Sequence, residues 1–373
     1  MPLELLDTPC ALIDEARMDG NIARMQQRMN ALGVTLRPHV KTAKCIEVAR
    51  RQLAAGAVGI TVSTLKEAEQ FFAAGFDDVL YAVGIAPAKL AQARALRERG
   101  CRLRVIVDSV AAAQAMVAQG QGLEVLIEID SDGHRSGVPP EADLLLQIGR
   151  LLHDGGAALT GVMTHAGGSY ACNTEAALVD FAEQERSRCV RAAQRLRDAG
   201  LPCQVVSVGS TPTALSARRL DGVTEVRAGV YVFQDLVMLN VGVAGRDELA
   251  LSVLASVIGH QVDKGWVLVD AGWMAMSRDR GTQTQAVDHG YGAVCDEAGQ
   301  WLDEFVMLGA NQEHGIIALR DGSAAERVES RFPLGTRLRI LPNHACATAA
   351  QYPSYAAIGR DGRIDVWERF GGW

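Results

Sequence analysis

No stretch of this chain is apolar for the roughly twenty residues that a membrane span requires, so no spanning helix is expected. No basic block interleaves with aromatic residues, and the net charge is −7. That balance argues against nucleic acid as a partner. The opening run Met1-Pro2-Leu3-Glu4-Leu5-Leu6-Asp7 lacks a basic region followed by a long apolar one, so no secretory signal is expected. Eight cysteines are present, but none forms a CxxC pair. Thiols scattered in this way suit a reducing cytoplasm and not a disulfide framework. No GxGxxG follows an early strand, which weighs against a dinucleotide-binding sheet.

What is present is an ordinary globular composition, 48% hydrophobic and 22% charged over 373 residues. The first part of the chain alternates short apolar runs with alanine- and arginine-rich amphipathic ones. Strand-like runs fall at 11–13, 35–40, 59–62, 78–83, 102–107, 124–130, 159–165 and 204–208, and helical runs such as 65–74, 88–99 and 175–199 separate them. Eight strand–helix units with right-handed crossovers predict an α/β fold, a (β/α)8 TIM-type barrel over 8–245. From about residue 246 the long helices stop, and runs such as 249–260, 265–269, 305–308, 315–319 and 336–341 are divided by Gly, Asp and Asn. That texture predicts a mostly β domain over 246–373, with residues 1–7 joining it.

Several strand ends carry chemistry. Arg37-Pro38-His39-Val40-Lys41-Thr42 brings a lysine to the C-terminal end of a predicted barrel strand, where side chains of this fold converge on the active site. Beside Arg37 and His39, and partly desolvated, its amine is expected to act as a nucleophile toward a carbonyl. Gly209-Ser210-Thr211 follows the last predicted barrel strand, and Arg227-Ala228-Gly229-Val230-Tyr231 comes soon after. Both runs suit a phosphate held by backbone N–H groups. Two phosphate-type loops late in a barrel, together with the lysine, point to pyridoxal 5'-phosphate. Arg135, in Asp132-Gly133-His134-Arg135-Ser136-Gly137, can pair with a phenolate or carboxylate, and His165 can stack on a planar ring. In Asn343-His344-Ala345-Cys346, the histidine and cysteine are two residues apart and share one face if the run is a strand. An imidazole and a thiolate suit Zn²⁺ or a similar divalent ion, and two protein ligands leave positions for water and substrate. The polar run Asn311-Gln312-Glu313-His314-Gly315 can add an acid, a base or a substrate ligand.

Taken in order, these motifs resemble the fold-type III pyridoxal phosphate enzymes of the D-serine dehydratase and D-threonine aldolase group, and more distantly alanine racemase. The resemblance spans nearly the whole chain and implies a barrel with a C-terminal β domain. It implies that Lys41 forms the internal aldimine and that Gly209, Ser210, Thr211, Gly229 and Val230 hold the phosphate, with Tyr231 beside the cofactor. It puts His165 near the pyridine ring, Arg135 near the phenolate and Arg227 toward the pyridine nitrogen. His344 and Cys346 become ligands of Zn, Mn or Co. The aldolases of this group carry aspartate where this chain has Cys346, so the resemblance favours a dehydratase acting on D-threo-3-hydroxyaspartate or D-serine. A D-threonine or D-3-hydroxyaspartate aldolase is the alternative, and a non-catalytic cofactor-binding protein is a third reading. The group also implies a homodimer.

Overall fold

The computed structural model describes residues 3–373. Among these residues the strands assemble into two sheets, and the chain forms two compact units. One unit is Ala23–Gly229. The other is built from the segment up to Ile22 together with Val230–Gly371.

The first strand, β1 (Cys10–Asp14), does not belong to the barrel as expected. It pairs with β-domain strands on both sides, described below. Its Ala11, Leu12 and Ile13 are buried on both faces, so it carries the same apolar signature as a barrel strand. The barrel strands are β2 (Thr35–Leu36), β3 (Ile60–Val62), β4 (Asp78–Gly84), β5 (Arg102–Val107), β6 (Glu124–Ile129), β7 (Ala158–Thr164), β8 (Val205–Val208) and β9 (Glu225–Val226). All neighbours are parallel, in the order β2-β9-β8-β7-β6-β5-β4-β3. A bridge from His39 to Thr61 joins the two ends and closes the ring. The eighth barrel strand is therefore β9, a two-residue strand that leads straight into Arg227-Ala228-Gly229.

Helices between the strands start where their side chains cap the free N–H groups. Thr64, Ser109 and Thr174 accept from the backbone three residues on, at the starts of Leu65–Ala73, Val110–Gln119 and Glu175–Asp198. Leu80, Ile106, Leu126 and Met163 form one apolar layer of the barrel. Below it, toward the strand starts, lies a charged layer. Arg37 reaches Asp78 at 2.7 Å and Glu225 at 2.8 Å, and Arg104 reaches Glu124 at 3.0 Å. The side chains of Arg37, Asp78 and Glu225 are 3–11% exposed, so their charges depend on each other and not on water.

The second unit is a nine-stranded sheet. Its strands are β1, β10 (Leu251–Gln261), β11 (Trp266–Val269), β12 (Gly292–Asp296), β13 (Trp301–Ala310), β14 (Gly315–Leu319), β15 (Arg337–Pro342), β16 (Ser354–Ile358) and β17 (Ile364–Glu368). All its pairings are antiparallel except that of β1 with β16. Val253, Val269, Phe305, Met307, Ile317 and Ile340 lie within its main core. Leu3 and Leu6 pack beside Leu12, Leu254, Ala356 and Ile364 in a smaller cluster of the same unit.

Candidate active site

Sheet order explains why the barrel candidates meet. The strands β2, β9, β8, β7 and β6 are consecutive neighbours. From their C-terminal ends come, in turn, Lys41, Arg227 with Gly229, Gly209 with Ser210 and Thr211, His165, and Arg135. Residues scattered over almost 200 positions in sequence thus gather along one rim.

At that rim the glycines are required. Gly209 has φ +134, and a Cβ there would lie 2.5 Å from the Arg227 carbonyl oxygen. A Cβ at Gly229 would lie 3.1 Å from the His39 carbonyl oxygen and 3.2 Å from the Thr42 hydroxyl. Thr42 adjoins Lys41. The loops thus pack backbone against backbone at the glycines, and the Lys41 charge acts on His165 at the same rim, so this glycine cradle and amine fit a phosphate-bearing aldehyde such as pyridoxal phosphate.

The hydrogen bonds assign particular work. His165 Nδ1 lies 2.9 Å from the Gly209 carbonyl oxygen, so Nδ1 carries the hydrogen and donates. Burial, then the Lys41 charge, pushes the His165 imidazole down to about 3, and the ring is neutral at pH 7. Ser210 caps the helix Thr211–Ser216 through a reciprocal pair with Thr213, and its hydroxyl also meets that of Ser169 at 2.8 Å. Glu185 was missed by sequence reasoning. Its carboxylate accepts the Ala166 N–H at 3.1 Å and the Gly209 N–H at 2.9 Å, tying the loops after β7 and β8 together. Gly209 therefore shapes the loop while its own N–H serves Glu185. The signal was hidden because Glu185 sits in a helix crowded with charged residues that read as a solvated face.

Three expectations need revision. Arg37 does not flank Lys41 as a free cation, because its guanidinium is held by Asp78 and Glu225. His39 supplies no charge either, since burial and then Lys41 and Arg227 push its imidazole well below the ordinary value. The run His344-Ala345-Cys346 is not a strand. β15 stops at Pro342, His344 is the extended N-cap of the helix Ala345–Ala349, and Cys346 lies in that helix's first turn.

The remaining barrel candidates are placed as follows. Arg227 is buried and donates to the Ser207 hydroxyl at 2.5 Å and the Thr164 carbonyl oxygen at 2.6 Å. Arg135 is 55% exposed and lies 3.7 Å from Glu128. In the other unit, Val230 and Tyr231 are buried in a short 3-10 turn. His314 is exposed in the turn between β13 and β14, where the Asn311 N–H donates to its carbonyl oxygen at 2.8 Å.

His344 and Cys346 interact in the β unit despite the loss of the strand. Burial opposes protonation of His344, but the Cys346 thiolate and the bonds to Asp279 and Cys346 outweigh it and raise the imidazole to about 11. The donor pair thus holds a proton where a divalent ion would bring positive charge, and an imidazole beside a thiolate fits such an ion. No group of three or more His, Cys, Asp or Glu side chains among the described residues is arranged to hold a metal, so the pair offers two protein donors. The N-terminal side of the helix is fixed by buried Asp235, which accepts from the Ala345 N–H at 2.9 Å and the Met238 N–H at 3.0 Å.

A closed βα barrel with a lysine and glycine loops at its strand ends, in one chain with an antiparallel sheet domain, defines an alanine racemase-like fold. Residues 13–236 match the family described as alanine racemase, N-terminal domain, and residues 250–358 match the putative serine dehydratase domain. The chain belongs to this fold-type III family of pyridoxal phosphate enzymes, in the D-serine dehydratase group. It is 67% identical to a D-threo-3-hydroxyaspartate dehydratase of Delftia sp. (strain HT23), covering 99% of this chain and 98% of that one. It is 30% identical to a D-serine dehydratase of Dictyostelium discoideum, covering 96% and 95%. A solved variant of D-threo-3-hydroxyaspartate dehydratase in a metal-free form superposes with a TM-score of 0.99 at 66% identity, with all of both chains covered.

Proposed function

We propose that this chain is a pyridoxal phosphate- and divalent-metal-dependent lyase that eliminates water from a D-3-hydroxy amino acid, D-threo-3-hydroxyaspartate or D-serine. The observation that carries the reading is the pairing of a strand-end lysine and glycine cradle with an imidazole–thiolate pair in the same chain. The high identity to a D-threo-3-hydroxyaspartate dehydratase supports it.

When bound, the cofactor supplies an electron sink for negative charge at Cα, and the divalent ion supplies Lewis acidity at the β-hydroxyl. The protein's own groups do the rest. Lys41 would anchor the cofactor through Nζ, and its free amine would accept the Cα proton on the same nitrogen. Gly209, Ser210, Thr211, Gly229 and Val230 would hold the phosphate, and Tyr231 is a further cofactor-binding residue. His165, kept neutral and fixed by its bond to Gly209, would contact the cofactor ring without adding charge. Arg135 would serve the phenolate and Arg227 the pyridine nitrogen, although the Arg227 Nη hydrogens are on Ser207 and Thr164. His344 and Cys346 hold Zn, Mn or Co. The enamine product hydrolyses in water to a 2-oxo acid and ammonia.

The eight cysteines, none joined in a disulfide, accord with a reducing, cytoplasmic setting, and among the described residues no helix is long and apolar enough to cross a membrane. A homodimer is the expected assembly from the group resemblance. Chelation tests the metal requirement. Treatment with EDTA should abolish turnover while the protein stays yellow, and added divalent metal should restore it. Full turnover in chelated, metal-free buffer would refute the reading.

A further inference from the structure

His344 has a partner that no motif announces. Asp279 Oδ2 lies 2.6 Å from His344 Nδ1, 65 residues away in sequence. A carboxylate only accepts, so Nδ1 carries a hydrogen, and Nε2 is the nitrogen left to give up its proton and face an ion. The side chains of Asp279 and His344 are only 33% and 41% exposed.

The carboxylate is itself held. Its Oδ1 accepts the Gly281 N–H at 2.8 Å, while the Asp279 N–H donates to the Ser277 hydroxyl at 3.2 Å. The neighbouring arginines have other partners. Arg278 stacks over Trp273, and Arg280 pairs with Asp288 at 2.9 Å and lies over Tyr291. From the histidine's side, buried Asn343 fastens the same two segments. Its Nδ2 donates to the carbonyl oxygens of Asp279 at 3.2 Å and Gly290 at 2.7 Å, and its Oδ1 accepts from the Thr282 hydroxyl at 2.9 Å. Carboxylate and imidazole are thus brought together by a network wider than their own attraction.

We propose that Asp279 is the positioning residue of the metal pair, fixing His344 in the Nδ1–H tautomer and aiming Nε2 at the ion that His344 and Cys346 share. This rests on the reading of those two residues as metal ligands. A carboxylate behind a ligating histidine raises the basicity of the ligand and removes the alternative ring orientation, and losing such a partner typically costs about 10–100-fold in affinity.

The test is the Zn²⁺ dissociation constant of the cofactor-loaded protein, measured by competition with a chromogenic chelator. The Co²⁺-loaded spectrum, which reports the thiolate ligand, is recorded beside it. Asp279→Ala should raise the constant about 10–100-fold and leave the thiolate band and the cofactor absorbance in place. Asp279→Asn, whose amide oxygen still accepts from Nδ1, should raise it severalfold but less than alanine does. Wild-type affinity in either variant, while His344→Ala and Cys346→Ala lose the ion, overturns the role of Asp279 and leaves the metal site standing. Unchanged affinity in the two ligand variants would instead overturn the metal reading itself. If the alanine variant does not fold, the asparagine variant decides by the same criterion.

Discussion

Lys41 depends on its position more than on charged neighbours. Arg37 and His39, which flank it in sequence, bring it no positive charge in the fold. One is held in the ionic layer of the barrel, and the other is a neutral, half-buried imidazole. Beside the lysine's sequence neighbour Thr42, Gly229 brings the backbone close. Lys41→Ala should therefore remove the visible absorbance of the lysine-bound cofactor and abolish turnover, without loss of fold. A visible band that persists in the variant would overturn the lysine assignment. At this scale the sequence singled out Lys41, His344 and Cys346 as candidates, because their residue types are unusual at their positions. It was silent on Glu185 and Asp279. Both are ordinary acidic residues made special only by what folding places against them, two loop N–H groups in one case and an imidazole in the other.

Among the elements, alternation of apolar runs and amphipathic helices revealed the barrel, because each βα unit announces itself locally. The assignment of individual strands went wrong at its two ends. β1 is buried on both faces, and sequence cannot tell a central strand of one sheet from a central strand of another. β9 escaped notice because it is two residues long and starts with Glu225, whose carboxylate points into the ionic layer. That layer makes a stability prediction. Although burial opposes it, Arg37 holds the Glu225 carboxyl below its ordinary value. A carboxyl whose folded pKa is depressed adds stability above the unfolded value and loses it as pH falls through the folded one. The contribution should thus be complete at neutral pH and fade below about pH 4, the usual carboxylate range. Arg37→Ala removes the closest cation from buried Asp78 and Glu225, leaving them Arg104 at 3.7 and 4.0 Å, and should cost up to about 3–5 kcal/mol at pH 7. Urea denaturation at pH 7 and well below pH 4 checks both statements. A loss under 1 kcal/mol at pH 7 would mean that water reaches the layer and screens it.

For the whole molecule, the proposed reading assigns a cofactor cradle to the barrel unit and a metal pair to the sheet unit. A scaffold of this family hosts more than one reaction at Cα and Cβ, so the fold alone does not select the bond that breaks. The 67% identity to a D-threo-3-hydroxyaspartate dehydratase favours departure of the β-hydroxyl over cleavage between Cα and Cβ. The most direct measurement is product analysis after incubation of the metal-loaded holoenzyme with D-threo-3-hydroxyaspartate. Elimination predicts oxaloacetate and ammonia in equal amounts. Glycine and glyoxylate without ammonia would contradict it and make the enzyme an aldolase.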